Sequence, residues 1–418
     1  MRRRPRAARL AALLMLGLVT PIAAQVSPRP AAPGTTGPTT SSAAAGASTA
    51  ESSSAGWTIT PSIGVSSFWD DNPTLASEGD FRPGDTVTSV RPNLSSAFRG
   101  RRTTFALGYG GTFDFYRNLT EQNTQDHRGT IDFAHQATRR LSFFARDQAM
   151  LAPTTGDAAE LGATVLRRQT TRMNTFRGGF DAALARHTTL TASYNTQWID
   201  FETAADDPAT AALQGGVAHG GSGSLRQQVN ARVSYGADYD VQRALVGRDE
   251  ALFDVQSVLG VAEIALNRHV EASLGYGHAW LFTGDGVRRN GPSVRVGLSW
   301  QGKRAVGTLR YARSFLPSFG FGGTFQNEEL RADLNVPVNR SIFWSGGLVA
   351  TKSDPLLEGD PNLRGVSAQS ALGVRIKRRF RIELYGAHVF QDSSAAGGRV
   401  HRTRAGVQAS IATPVRIR

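Results

Sequence analysis

From Trp57 onward, segments of about ten residues alternate apolar and polar side chains, one segment after another, almost to the C-terminus. Between Trp57 and Trp69 the odd positions are Trp57, Ile59, Pro61, Ile63, Val65, Ser67 and Trp69. The even positions are Thr58, Thr60, Ser62, Gly64, Ser66 and Phe68. A period of two makes a strand with one apolar and one polar face. A soluble sheet uses a few such strands. Many in hairpin succession point to a transmembrane β-barrel, because in lipid only helices and closed barrels satisfy every backbone polar group.

Helices are excluded as the spanning elements. Only 40% of the 418 residues are hydrophobic, and mean hydropathy is −0.27. After the first 25 residues no apolar run reaches the roughly 18 residues that a spanning helix needs. Residues 1–25 read as a secretory signal peptide: Arg2, Arg3, Arg4, Arg6 and Arg9 precede the apolar Leu10–Val19, and Pro21-Ile22-Ala23-Ala24 ends in small residues. The formal charge of +13 includes those five arginines, so about +8 remains on the rest. The basic residues are spread along the chain without a patch, so nucleic acid is not an expected partner. There is no cysteine, hence no disulfide and no lipid-bearing cysteine. Residues 26–56 are rich in Pro, Ala, Ser, Thr and Gly and cannot bury a core, so a disordered periplasmic leader is expected there.

Residues 57–418 are expected to form the barrel domain. The fold class is all-β, an antiparallel up-and-down barrel of 18 strands, with 16 left open. The expected strands are 57–69, 86–98, 103–116, 126–137, 141–151, 170–184, 188–201, 209–220, 226–242, 252–266, 270–282, 292–300, 304–315, 326–338, 341–351, 364–376, 380–390 and 400–412. The segment 209–220 is Gly-rich and poor in apolar residues. The connections fall into two alternating classes. Short basic turns such as Arg99-Gly100-Arg101-Arg102, Ala185-Arg186-His187 and Lys377-Arg378-Arg379 alternate with longer ones rich in Asp, Gly, Pro and Ser. Barrels carry short turns on the periplasmic side and long loops outside. Arginines in the short turns either solvate the turns or meet anionic head groups. Trp57, Trp69, Trp198, Trp280, Trp300 and Trp344 share the lipid-facing parity at or near strand ends, as an aromatic girdle requires.

Opposite parity defines the lumen. It carries Arg91, Arg128, Arg146, Arg177, Arg232, Arg295, Arg310, Arg331, Arg375, Arg381, Arg402 and Arg404. It also carries Asp114, Asp132, Asp181, Asp238, Glu263, Glu271, Asp333 and Glu383. Twelve arginines against eight carboxylates leave two readings open: cross-strand pairing that stiffens the wall, or unpaired arginines that favour anions. The third external connection, Ala152–Gln169, is long, and Gly156–Arg168 within it has helix-compatible composition, with Asp157 and Glu160 early and Arg167 and Arg168 late. It either folds inward or stands as an exposed helical loop.

Sites of chemistry are sparse. No phosphate loop and no paired histidines at metal-ligand spacing occur. His127, His278, His388 and His401 lie at external strand ends on the lipid-facing parity, where an interfacial side chain suffices. The loop acids Asp70, Asp71, Asp80, Asp206, Asp207, Asp354, Glu358 and Asp360 show no calcium-loop spacing. Neither an enzyme, a metal nor a cofactor is expected.

The opening Ile59-Thr60-Pro61-Ser62-Ile63-Gly64-Val65, followed by Trp69-Asp70-Asp71-Asn72-Pro73 and then Val90-Arg91-Pro92-Asn93-Leu94, resembles outer-membrane β-barrel porin-type proteins often encoded beside exopolysaccharide export systems. The resemblance spans most of 57–412 and rests on short motifs. It implies an outer-membrane barrel with a pore or export role, and it adds polysaccharide to the partners to be considered. One departure stands out. Such barrels usually end in an aromatic residue read by the barrel-assembly machinery, whereas this chain ends Pro414-Val415-Arg416-Ile417-Arg418. Either Ile411 closes the last strand and the tail hangs free, or the insertion signal is atypical. The expected activity is passive passage of small hydrophilic solutes with a mild preference for anions. The alternatives are an exopolysaccharide-export component or a closed barrel acting as a surface scaffold. The expected surroundings are outer-membrane lipid and lipopolysaccharide of a Gram-negative-type bacterium, reached through the general secretory route.

Overall fold

Strict alternation produces strands along the whole described chain. The computed structural model describes residues 55–417 apart from 154–168, 203–213, 248–250, 303, 318, 320–323, 357–361, 378 and 395–397. The signal, nearly all of the leader and the third external connection lie outside the described residues. The strands are β1 (Gly56–Asp70), β2 (Asp85–Arg99), β3 (Thr103–Tyr116), β4 (Thr124–Gln136), β5 (Leu141–Pro153), β6 (Thr170–Ala185), β7 (Thr188–Phe201), β8 (Gly216–Gln228), β9 (Val233–Val246) and β10 (Ala251–Asn267). They continue as β11 (Val270–Thr283), β12 (Arg288–Gln301), β13 (Val306–Pro317), β14 (Thr324–Pro337), β15 (Ile342–Pro355), β16 (Leu363–Ile376), β17 (Phe380–Ser393), β18 (Arg399–Ala412) and the short β19 (Val415–Ile417). Each strand from β1 to β18 pairs antiparallel with its sequence neighbour, and β1 pairs with β18 to close the cylinder. The sequence-derived barrel of 18 strands is therefore the observed one. Following register partners once round from Gly64 returns to β1 about 22 residues further along, a shear that tilts the strands by roughly 40°.

The outer face carries the alternating apolar set. Ile63, Val65, Leu94, Leu107, Leu274, Leu298, Leu309, Leu348 and Val407 are exposed there. All six tryptophans lie on this face. Trp344 satisfies its indole by donating to Ser370 Oγ at 2.8 Å, and Trp57 packs on Phe98 and Phe105.

One pair of strands departs from expectation. The segment expected at 209–220 is instead Gly216–Gln228, and its partner begins at Val233 rather than 226. The Gly-Ser run Gly220–Ser224 reads as a linker, yet the backbone ladder to β7 and β9 holds it extended, and Ser222 Oγ adds a hydrogen bond of 2.7 Å to Ser193 Oγ of β7. The short turn between them is Val229–Arg232, where Asn230 Oδ1 accepts the backbone N–H groups of Arg232 and Val233. Arg232 is thus an exposed turn residue and not part of the inner wall.

The tail does not hang free. Trp57, Thr58 and Ile59 pair with Ile417, Arg416 and Val415 in the same register as the main β1–β18 ladder. The interruption falls at Thr413–Pro414. Thr413 N–H donates to Pro61 O at 3.0 Å, while Pro61 has no N–H to return. β18 and β19 are one strand broken by two facing prolines. Ending the chain at Pro414 removes that last stretch of ladder. The expected cost is about 1–3 kcal/mol, read as a lowered urea midpoint for the heat-modifiable migration of the folded barrel.

Candidate functional site

The inner wall is hollow at mid-height. Arg146 points inward from β5 and pairs with Asp132 of β4, yet its side chain is 68% exposed. An inward side chain with that exposure borders open space. Arg128 forks onto Asp126 at 2.9 Å. Arg91 donates to Gln408 Oε1 at 2.7 Å, Arg331 meets Glu329 at 3.1 Å, and Arg381 meets Glu383 at 3.3 Å. Arg177 donates to Ser193 Oγ at 3.2 Å and lies over the Phe144 ring. Arg375 and Arg381 both cover the ring of Phe343 near the short-turn end. Arg310 also faces inward, opposite Arg331 in register, and has no ion pair among the described residues. Asp333 lies on the same face, across from Gly347. Asp114 is inward too, with Oδ1 buried and without a hydrogen-bond partner.

A denser network spans β8 to β12. Arg226 Nη1 meets Asp238 Oδ1 at 2.7 Å, and its Nε lies 3.6 Å from Glu263. Arg295 reaches across β10 and β11 to Asp240 at 2.9 Å and to Asp238 at 3.5 Å. It can do so because Gly275 stands between: a Cβ there would come within 3.6 Å of the Arg295 Cβ and 3.1 Å of Val261. Arg226 opened the expected strand 226–242 on the inward parity but was not singled out. Asp126, Asp240 and Glu329 were readable by parity but not singled out.

These additions change the electrostatic balance. Arg232 leaves the wall and Arg226 enters it, while Asp70, Asp126, Asp240 and Glu329 join the carboxylates. The excess of arginine expected from the sequence is largely cancelled, and most inner charges sit in cross-strand or same-strand pairs. Of the two readings, pairing describes most of this wall.

Asp70 belongs to this wall and not to a loop. It ends β1, fully buried, and Arg402 of β18, 5% exposed, binds it through Nε at 3.0 Å and Nη2 at 2.5 Å. The residues after it pin the first connection to β18. Asp71 N–H donates to Thr403 O at 3.1 Å, and Thr403 N–H donates to Asp71 Oδ1 at 2.6 Å. Asn72 donates through Nδ2 to His401 O at 2.8 Å and to Ala76 O at 2.9 Å. Leu75, in the left-handed region at φ 55°, donates its N–H to the Asn72 backbone O at 3.3 Å, Asn72 Oδ1 accepts the Ala76 N–H at 2.9 Å, and the leucine packs on Val389 and Val400.

Toward the mouth on the long-connection side the inner face becomes apolar. Ala218, Ala244, Val246, Phe253, Val255, Ala279, Leu281 and Phe315 form one buried cluster, and Met150, Ala152, Met173, Ile199 and Phe201 form a second. Phe319, in the β13–β14 connection, packs against both. Phe68, Val87 and Tyr116 form a third cluster with Leu119 and Tyr385. The inner face thus changes from a charged mid-section to an apolar zone near the long connections.

The histidines at external strand ends face outward. His127 stacks on Tyr109 and shares a hydrogen bond of 2.9 Å with its hydroxyl, and His388 shares one of 3.0 Å with Thr403. Among the described residues no group of three or more His, Cys, Asp or Glu could hold a metal ion, and no helix is long and apolar enough to cross a membrane.

No protein-family model and no curated protein matches the chain. Solved structures similar to it include OccAB3 of Acinetobacter baumannii, 10% identical over 85% of this chain and 99% of that one, with a TM-score of 0.40. OpdQ of Pseudomonas aeruginosa is 7% identical over 87% and 98%, at 0.42. The FrpB iron transporter of Neisseria meningitidis is 11% identical over 86% and 81%, at 0.44. The fold assignment here rests on the strand ladder itself.

Replacing Asp70 by Ala leaves the Arg402 guanidinium buried without its carboxylate. The expected destabilisation is about 3–5 kcal/mol, measured by urea unfolding in detergent. The double change Asp70→Leu with Arg402→Met should recover most of it.

Proposed function

We propose that the protein is an outer-membrane channel through which small hydrophilic solutes pass passively. The observation that carries this reading is the combination of an apolar, aromatic-flanked outer band with an inner wall whose charged side chains border open space, Arg146 above all. The outer band supports residence in lipid beside lipopolysaccharide. The inner wall supports a wetted path. Nothing in the arrangement calls for a cofactor.

Selectivity follows from the local field. A wall of paired charges discriminates weakly, because each Arg–carboxylate pair presents little net field to a passing ion. The mild anion preference expected from the sequence narrows to those arginines without a carboxylate, chiefly Arg310, and is offset by Asp333 and Asp114 on the same wall. The test is single-channel current of the refolded barrel in a planar bilayer under a salt gradient. Discrete steps are expected, with a reversal potential close to zero and displaced slightly toward the anion. Arg310→Glu should move it toward the cation. Silence from a barrel verified as folded overturns the channel reading.

A further inference from the structure

The ladder that builds the wall splits between β12 and β13. These strands share eight register pairs, from Gln301–Val306 to Val294–Arg313. That is the shortest ladder between sequence-neighbouring strands from β1 to β18 among the described residues; the next shortest, β4–β5, has ten pairs. Both strands run on past the last pair. Arg288–Ser293 stay paired to β11 and Ser314–Pro317 to β14, but the two stretches do not pair with each other. Pro292, which has no N–H, lies just beyond the last pair. The β1–β18 ladder is short as well, yet Asp71, Asn72 and Ser77 bridge its upper end. What crosses the β12–β13 split is a long hydrogen bond from Ser293 Oγ to Arg313 O, 3.4 Å.

Above the split the end of the β13–β14 hairpin leaves the cylinder. Phe315 has the parity of the lipid-facing Leu309, yet it is 3% exposed and belongs to the buried cluster of Ala279 and Leu281, which face inward from β11. Thr324 of β14 has the parity of the outward Leu330 and is fully buried. The upper part of β13 therefore lies over the inner face of β10 and β11, strands it touches although β12 stands between. Gly291 of β12 makes room for it: a Cβ there would come within 3.2 Å of the Phe315 ring. One phenyl ring thus stops the opening from within.

The split faces the outer leaflet. Trp280 of the aromatic girdle is in register with Asn290, and the split starts at Ser293, roughly 10 Å further along β12 toward the bilayer centre. Unpaired strand edges at that depth are costly in hydrocarbon. Behind Phe315 lies the apolar cluster that includes Phe253 and Val255. At the outer rim stands Arg313. Its Nη2 donates to Gln326 Oε1 at 3.0 Å, Glu328 lies 3.8 Å away, and its Nε is buried without a hydrogen bond.

We propose that the split is a binding site for a single-chain amphiphile with a carboxylate head, of the long-chain fatty-acid class. The head meets Arg313, and the tail enters between β12 and β13 and displaces the Phe315 ring from the cluster. The chemistry selects this occupant. The opening gives onto acyl chains, so what reaches it arrives through the lipid. One ring fills it, so it takes one chain and not a multi-chain lipid. An arginine with an unused buried donor at the rim favours an anionic head. The site lies in the wall, apart from the polar mid-section, and stands whether or not that section conducts.

The test uses the full barrel in phospholipid nanodiscs and a long-chain fatty acid carrying a diazirine near its tail end. After irradiation, adducts are mapped by mass spectrometry. Adducts concentrated on Phe253, Leu281 and Phe315 are the expected result. Phe315→Ala removes the ring that the tail must displace and should tighten binding about tenfold. Gly291→Leu fills the same space and should weaken it about tenfold. Arg313→Gln should weaken binding of the acid about tenfold and leave the matching long-chain alcohol unchanged. Heat-modifiable migration confirms that each variant folds, and Phe315→Ala, which only creates space, keeps the test decisive if the bulkier variant does not. No adduct at those residues, or adducts spread evenly round the outer face, overturns the proposal. Binding untouched by Phe315→Ala overturns it too, as does an equal loss of acid and alcohol in Arg313→Gln.

Discussion

The backbone ladder that closes β18 onto β1 is the interaction on which the rest depends. An open sheet of this length would present two rows of unpaired N–H and C=O groups to hydrocarbon, each costing several kcal/mol. Closure removes both edges, and its location explains why so much chemistry gathers there. The Asp70–Arg402 fork, the reciprocal Asp71–Thr403 hydrogen bonds and the Asn72 clasp reinforce the seam at one end. The Val415–Ile417 stretch reinforces it at the other. Trp69-Asp70-Asp71-Asn72-Pro73, which carries the resemblance to porin-type barrels, has a structural task in this chain: its polar residues close the barrel.

With the cylinder closed, parity assigns every side chain to lipid or to lumen, and charge must follow. Twelve arginines inside a low-dielectric wall would repel one another strongly if left alone. The fold answers by interleaving carboxylates, most tightly where Arg226 and Arg295 enclose Asp238, which is 2% exposed. Such networks contribute less to stability than their geometry suggests, because desolvation offsets much of the Coulomb gain. They orient the side chains, and so set the shape and the field of the hollow mid-section.

How much of this was legible from residues alone differs from feature to feature. The strand number, the alternation of short and long connections and the outward parity of the tryptophans follow from a period of two and from turn chemistry, both of which are local. β8 was displaced because glycine and serine carry no side-chain signal, and only its neighbours' hydrogen bonds hold it extended. That displacement moved Arg232 into the expected wall. Asp70 looked like a loop acid because the register that buries it against Arg402 joins residues more than 300 positions apart. The apolar mouth was likewise unreadable: Val87, Met173, Ile199 and Phe253 are inward apolar residues near strand ends, and they become a cluster only when curvature brings distant strands together.

The sequence by itself determined that the chain is a lipid-facing cylinder of strands, because side-chain alternation is a local property and lipid leaves few alternatives. Tertiary structure alone decided which charges neutralise one another and where apolar side chains gather on the inner face. Those depend on register and shear, and a one-residue slip in either would exchange the two faces of a strand.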